Sequence, residues 1–243
     1  MFGQAVFARD DLLFASGHEY LGNGRLLGIK GCLNRPSGVW KLGVPKIDQL
    51  EESQSQPLSN LSKLTLSHRS SRSPRIFRKE SGHLIVVWVS NQAGGPHASS
   101  TSIHTLDTET GEEKTILGTI WEASETDSFP GYYGDLQLPS QPFLRLASAP
   151  FIVFQSVWGS RTTVLLVNLV DGHVKDLTSD TNGLLYSWTV LATDGINQVV
   201  SVRSSPSSPP EVLLGKVDDN QGIIWQVIHK TTLTPEGKLA PFG

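Results

Sequence analysis

The chain has 243 residues, 38% of them hydrophobic, which is enough to bury a substantial core. Its net charge is −3, with acidic and basic residues well mixed, so no basic face points to nucleic acid. Its single cysteine, Cys32, excludes an intrachain disulfide framework or a cysteine zinc cluster and suits a reducing, cytoplasmic location.

From the N-terminus, Met1–Asp11 lacks the basic-then-apolar order of a signal peptide. It reads as a short strand followed by an Asp-rich turn, so the chain is expected to begin inside a fold. Gly22, Gly24 and Gly28 miss the spacing of a dinucleotide fingerprint by one residue and have no helix after them. They read as a flexible turn before a strand over Leu26–Lys30, with Cys32 an inert thiol at its end. Residues 48–73 are Ser- and Gln-rich and read as an irregular loop insertion or a weak blade edge. The sequon Asn60-Leu61-Ser62 within them matters only in a secreted protein.

Further along, short apolar runs follow one order. Strand His83–Val89 leads through a loop to strand Ser102–Leu106, the turn Asp107–Gly111 and strand Lys114–Leu117. The order returns as Phe151–Phe154, Thr163–Leu169, the turn Asp171-Gly172, and Val174–Leu177. Asp-Gly tolerates the positive φ of a tight turn and so fixes the register of its strands. A fainter copy runs through Gln198–Arg203, a Ser/Pro connector at Ser204–Pro210, Val212–Val217 and Ile223–Ile228. The copies lie roughly 50 to 70 residues apart, as for blades of four strands with loop insertions. Helical periodicity is weak throughout and no run approaches the roughly 18 apolar residues of a membrane helix. The expected fold class is all-β: a partial β-propeller of about four to five four-stranded antiparallel blades over residues 1–243. A β-sandwich is the rival architecture.

No Gly-x-Ser-x-Gly elbow is present. The seven histidines (His18, His68, His83, His97, His104, His173 and His229) include no pair of metal-ligand spacing. No catalytic residue, metal ligand or cofactor is therefore assigned. Trp121, Phe129, Tyr132 and Tyr133 surround Phe129-Pro130-Gly131 and form a candidate peptide-contacting loop, with blade-face packing as the alternative. Trp40, Trp88, Trp158, Trp188 and Trp225 lie in or beside strands and read as core or inter-blade packing.

Several segments, in order, carry a resemblance. They are Gly3–Phe7, His18-Glu19, Arg25–Lys30, Cys32–Arg35, Ser73-Pro74-Arg75, Gly95-Pro96-His97, Phe129–Tyr133, Leu177-Thr178 and Pro206–Leu214. Together they resemble the propeller of acylaminoacyl-peptidases, also called acylpeptide hydrolases or acylamino-acid-releasing enzymes, in the prolyl oligopeptidase family. Residues 48–72 and the tail Thr234–Gly243 depart from that pattern. The resemblance implies a propeller that caps a C-terminal α/β-hydrolase domain absent from this chain. The serine triad would lie in that domain, so the chain alone is expected to be inactive. It further implies short N-acylated peptides as substrates, a cytosolic setting and frequent oligomers, so a homo-oligomer is open. Neither nucleic acid nor membrane is an expected partner. Three accounts follow: the non-catalytic gating portion of such a peptidase, a stand-alone propeller module binding a peptide or protein, and a truncated record of a longer product.

Overall fold

The computed structural model describes residues 2–25, 34–44, 60–65, 69–123, 125, 128–134, 137–179 and 185–231. Among them are sixteen strands and no helix, in two compact units, Met1–Leu138 and Pro139–Gly243.

In the first unit, β1 (Phe2–Arg9), β2 (Leu12–His18), β3 (Ser37–Gly43) and β4 (Ser62–Lys63) pair as antiparallel neighbours in chain order. β5 (Arg69–Arg78), β6 (Leu84–Gln92), β7 (Ser102–Asp107) and β8 (Glu113–Leu117) repeat the arrangement. One parallel pair, Ser37 with Ser70, joins the two sheets. In the second unit, β9 (Phe143–Leu146), β10 (Ala149–Trp158), β11 (Arg161–Asn168) and β12 (Val174–Asp176) form one sheet. β13 (Ser187–Thr193), β14 (Gln198–Ser205), β15 (Ser208–Val217) and β16 (Ile223–Lys230) form the other. Each sheet is thus a four-stranded meander, the blade form of a β-propeller. Neighbours in sequence are neighbours in the sheet, without the Greek-key crossings of a sandwich. The fold is the all-β partial propeller expected from the sequence, with four blade sheets among the described residues.

The turns explain the order. Gly172 takes φ +77° and Asp171 Oδ1 accepts the His173 N–H at 2.9 Å, so the Asp-Gly pair closes the β11–β12 connection as expected. Asp218 Oδ1 likewise accepts the N–H groups of Asn220 and Gly222 and closes β15 onto β16. Alternation then puts one face of each sheet into a core. Ala8, Leu12, Phe14 and Val39 of the first sheet pack with Leu84, Val86 and Trp88 of the second. Leu144, Phe151, Val153 and Leu166 of the third pack with Trp188, Val190, Val199 and Leu213 of the fourth. Blade faces are covered by neighbouring sheets within each unit.

The structure corrects several boundaries. β5 begins at Arg69, inside the span read as irregular, because its Ser and Arg residues pair with β6 although they show no apolar alternation. The connector at Ser204–Pro210 shrinks to the two residues Pro206 and Ser207, since Ser205 pairs with Ser208. Pro209 and Pro210 enter β15, where the Pro210 carbonyl accepts from Thr231 Oγ1 at 2.9 Å. Each three-strand copy also gains a strand before it, namely β5, β9 or β13. The strand read at Leu26–Lys30, Cys32 and the tail from Thr234 lie outside the described residues.

Gly215 shows how tightly the fourth sheet is packed. It pairs with Trp225, and a Cβ there would lie 2.6 Å from a ring carbon. The ring is tethered, because Trp225 Nε1 donates to the Leu177 carbonyl at 3.0 Å. Gly215→Ala is expected to destabilise the chain by about 1–3 kcal/mol, read as a lower urea midpoint at unchanged slope.

Candidate functional site

The aromatic loop divides in two. Phe129 and Tyr132 are buried, whereas Trp121 is 71% exposed and Tyr133 36%. Tyr132 is held by the Thr101 N–H, which donates to its carbonyl at 2.8 Å. Gly131 beside it takes φ +105°, and a Cβ there would strike Ser100 Oγ, so the loop lies close against Ser100. The phenol of Tyr132 faces inward toward Arg72 and Arg75; burial lowers the pKa of both guanidiniums, and Tyr132 offsets part of that shift. Of the four candidate residues, the structure presents Trp121 and Tyr133 to solvent and uses Phe129 and Tyr132 as anchors.

Behind that loop is an interior that hydrophobic patterning does not reveal. Ser70, Ser71, Arg72 and Ser73 of β5 are buried, as are Ser90 and Asn91 of β6 and Ser102 and His104 of β7. Ser73 takes φ +55° at the point where the β5–β6 register shifts between Arg72 and Arg75. It is therefore the bulge of a segment, Ser73-Pro74-Arg75, that also carries the family resemblance. The bulge is pinned on both sides: Ser73 N–H donates to Gln4 Oε1 and Leu138 N–H donates to Ser73 Oγ, each at 2.8 Å. Arg72 Nη1 donates to Asn91 Oδ1 at 2.7 Å, and burial lowers its pKa to about 10. Arg75 donates to the carbonyls of Pro74 and Leu138.

One contact has the outline of a catalytic pair. Ser102 Oγ lies 2.8 Å from His104 Nε2. The chemistry runs against that role. Ser102 is buried and its one hydroxyl proton also faces the Ser90 carbonyl at 2.9 Å. The Arg69 guanidinium meets the same Nε2 at 2.6 Å, and Nδ1 faces Thr115 Oγ1 at 3.1 Å, where a triad needs a carboxylate to stabilise imidazolium. Burial, and secondly Arg69, lower the His104 pKa to about 4. This histidine is a poor proton acceptor at neutral pH.

Concave sites also lie among the described residues. A groove of about 590 Å³ runs over sheet four beside Gln198, Leu214, Lys216, Asp218 and Ile224. A pocket of about 400 Å³ lies between the segment Asn34-Arg35-Pro36 and the loop Ala93–His97. Both segments carry the family resemblance, yet nothing in their spacing, some 60 residues apart, links them; Asn34 Nδ2 donating to the Gly95 carbonyl at 2.7 Å does. Among the described residues no group of three or more His, Cys, Asp or Glu is arranged to hold a metal, and no helix is long and apolar enough to cross a membrane.

Comparison with known proteins agrees with the motif order. The acylamino-acid-releasing enzyme of Arabidopsis thaliana is 33% identical over 217 residues, covering 84% of this chain and 26% of the relative. Acylamino-acid-releasing enzyme 1 of Oryza sativa subsp. japonica is 29% identical over 264 residues, covering 98% of this chain and 32% of the relative. The chain thus spans about a quarter to a third of the length of these curated relatives. A solved family 117 glycoside hydrolase from the marine bacterium Zobellia galactanivorans superposes with a TM-score of 0.46 at 10% identity, covering 92% of this chain and 66% of the hydrolase. The model of the acylamino-acid-releasing enzyme N-terminal domain matches residues 5–238, and the chain belongs to that family.

Proposed function

We propose that this chain is the non-catalytic, substrate-gating part of an acylaminoacyl-peptidase-type serine exopeptidase, which releases N-acyl amino acids from blocked peptides. The observation that carries the proposal is the family match over residues 5–238, set against relatives three to four times as long. In this reading the chemistry belongs to a hydrolase domain that the chain partners, and the blades restrict which peptides reach it. The sealed Ser102–His104 pair is consistent with a structural role for those residues. A cytoplasmic setting is part of the same proposal.

The expected result is that the purified chain neither hydrolyses an acetyl-amino-acid anilide nor reacts with a serine-directed phosphonate. Turnover abolished by the phosphonate would overturn the non-catalytic assignment. Gating is tested in a full-length relative by deleting the portion equivalent to this chain. The limit on peptide length should relax, and an unchanged limit would remove gating from the proposal.

One observation favours a second reading, a propeller module that binds a protein partner. Ile224, Val227 and Ile228 of β16 are exposed, and β16 ends its sheet with one pairing edge unused by the other named strands. Co-purification of the chain with its full-length relative, or a self-associated species in solution, would support that reading over gating.

A further inference from the structure

We propose that the pocket between residues 34–36 and 93–97 binds the C-terminal carboxylate of a short peptide, with Arg35 as its counter-charge. The pocket has fixed walls. The Gly94 N–H donates to the Asn34 carbonyl at 2.8 Å, and Asn34 Nδ2 returns a bond to the Gly95 carbonyl at 2.7 Å. Gly94 takes φ +77°, and the Gly95 N–H closes the turn onto the Gln92 carbonyl at 3.1 Å. Two connections, one entering β3 and one leaving β6, are thereby clamped before any ligand arrives. The volume of about 400 Å³ suits the end of a peptide and not a folded domain.

Arg35 supplies the chemistry. It is half-buried, and its Nε is sealed from solvent without a hydrogen-bond acceptor. No described carboxylate pairs with it. Glu19, whose N–H reaches the Pro36 carbonyl at 3.4 Å, has its carboxylate on Lys63. A guanidinium that has lost part of its hydration and gained no acceptor binds an incoming carboxylate more strongly than a fully hydrated one would. Asn34, with Nδ2 engaged, keeps Oδ1 as an acceptor for a peptide N–H.

The choice of a peptide C-terminus rests on the proposed function. A peptide blocked by an N-acyl group has no α-ammonium, so its one obligatory terminal charge is the carboxylate. A single cation in a small pocket therefore reads the end opposite the acyl group and reports how far away that end lies. That gives the gating reading a means of sensing length.

The test is direct binding to the 243-residue chain, with no hydrolysis involved. The probes are N-acetyl-trialanine, its C-terminal amide, and the amide of N-acetyl-Ala-Asp-Ala. The free acid should bind at least about tenfold more tightly than either amide and should shift the His97 ring resonance. Arg35→Gln should bring the acid down to the level of the amides. If that variant unfolds, Ala93→Leu, which fills the pocket and keeps the arginine, should remove the same preference. Equal binding of acid and amide to the wild-type chain would overturn the proposal. So would a preference that survives both substitutions. Binding of the Asp-containing amide as tight as the acid would overturn the assignment to a chain terminus. Failure here leaves the deletion test of gating unaffected, and an unchanged length limit in that test would leave Arg35-dependent binding standing.

Discussion

Trp188→Ala is expected to lower the unfolding free energy by about 3–5 kcal/mol, seen as a lost or strongly shifted transition for the unit that begins at Pro139. Trp188 is 1% exposed and central to the core between the third and fourth sheets. Its ring meets Trp225 at 4.8 Å with a 41° tilt, and the Arg203 guanidinium lies 5.4 Å from its centroid. Truncation would leave a cavity the size of an indole. It would also remove one of the two rings over which Arg203 is held, the other being Tyr186 at 4.4 Å. Trp188→Phe separates these effects. The indole N–H is buried without an acceptor, so phenylalanine deletes an unsatisfied donor while keeping most of the volume. Its cost should be less than half that of alanine in the same urea titration. Equal losses for the two variants would mean that the indole N–H has a partner or that the core cannot adapt.

The charged layer beside Trp188 explains why a large loss is expected there. Arg203 donates from Nε and Nη2 to Glu211 Oε2, at 3.0 and 2.8 Å, and Lys230 reaches Oε1 at 2.9 Å. The Lys230 hydrogen bond is the main cause that holds the Glu211 carboxyl below its usual range, with Arg203 adding to it against the cost of desolvation. The aromatic rings position the guanidinium, and the guanidinium positions a buried carboxylate. Deleting a ring therefore disturbs a satisfied polar network as well as a core.

How much of this was legible in the sequence depends on which signal each segment carries. The strands β6, β10, β11 and β15 are marked by runs of Val, Ile and Leu, and the β11–β12 hairpin by Asp171-Gly172. Trp88 and Trp188 are buried as their strand positions implied. The first strand of three sheets was not legible, for three reasons. β5 buries Ser and Arg, which hydrophobic alternation cannot detect. β9 is only four residues long. β13 alternates over just Trp188 and Val190 before its register shifts. The aromatic loop was legible as a cluster, but sequence gives no sign of which rings turn inward; that depends on Gly131 lying against Ser100. Arg35 and His97 were visible only as separate pieces of a family pattern, because the contacts that make them one pocket run through the Asn34 side-chain amide and carbonyl and the backbone of Gly94 and Gly95.

Lowering the pH from 6.5 to 4 is expected to remove about 3 kcal/mol of stability through His104 alone. The residue is fully buried, stacked on Trp88 at 5.5 Å and 16°, with Thr115 Oγ1 3.1 Å from Nδ1. Arg69 can only donate, so Nε2 accepts and the ring proton belongs on Nδ1. A second proton would have to enter at Nε2, against the guanidinium and away from water. The folded pKa is therefore about 4 while the unfolded value stays near 6.5. Between those values the unfolded chain binds a proton that the folded chain does not, so stability falls as pH falls and levels off below about 4. Asp107, held at about 2 chiefly by the Lys79 hydrogen bond, contributes its own loss only below its ordinary value of 3.8, outside most of this window. Urea midpoints measured from pH 7 to 4 should follow that slope, and His104→Gln should flatten it whatever its effect at pH 7. A slope that persists in the variant would assign the acid sensitivity to another group and would mean that the imidazole is already charged in the folded chain.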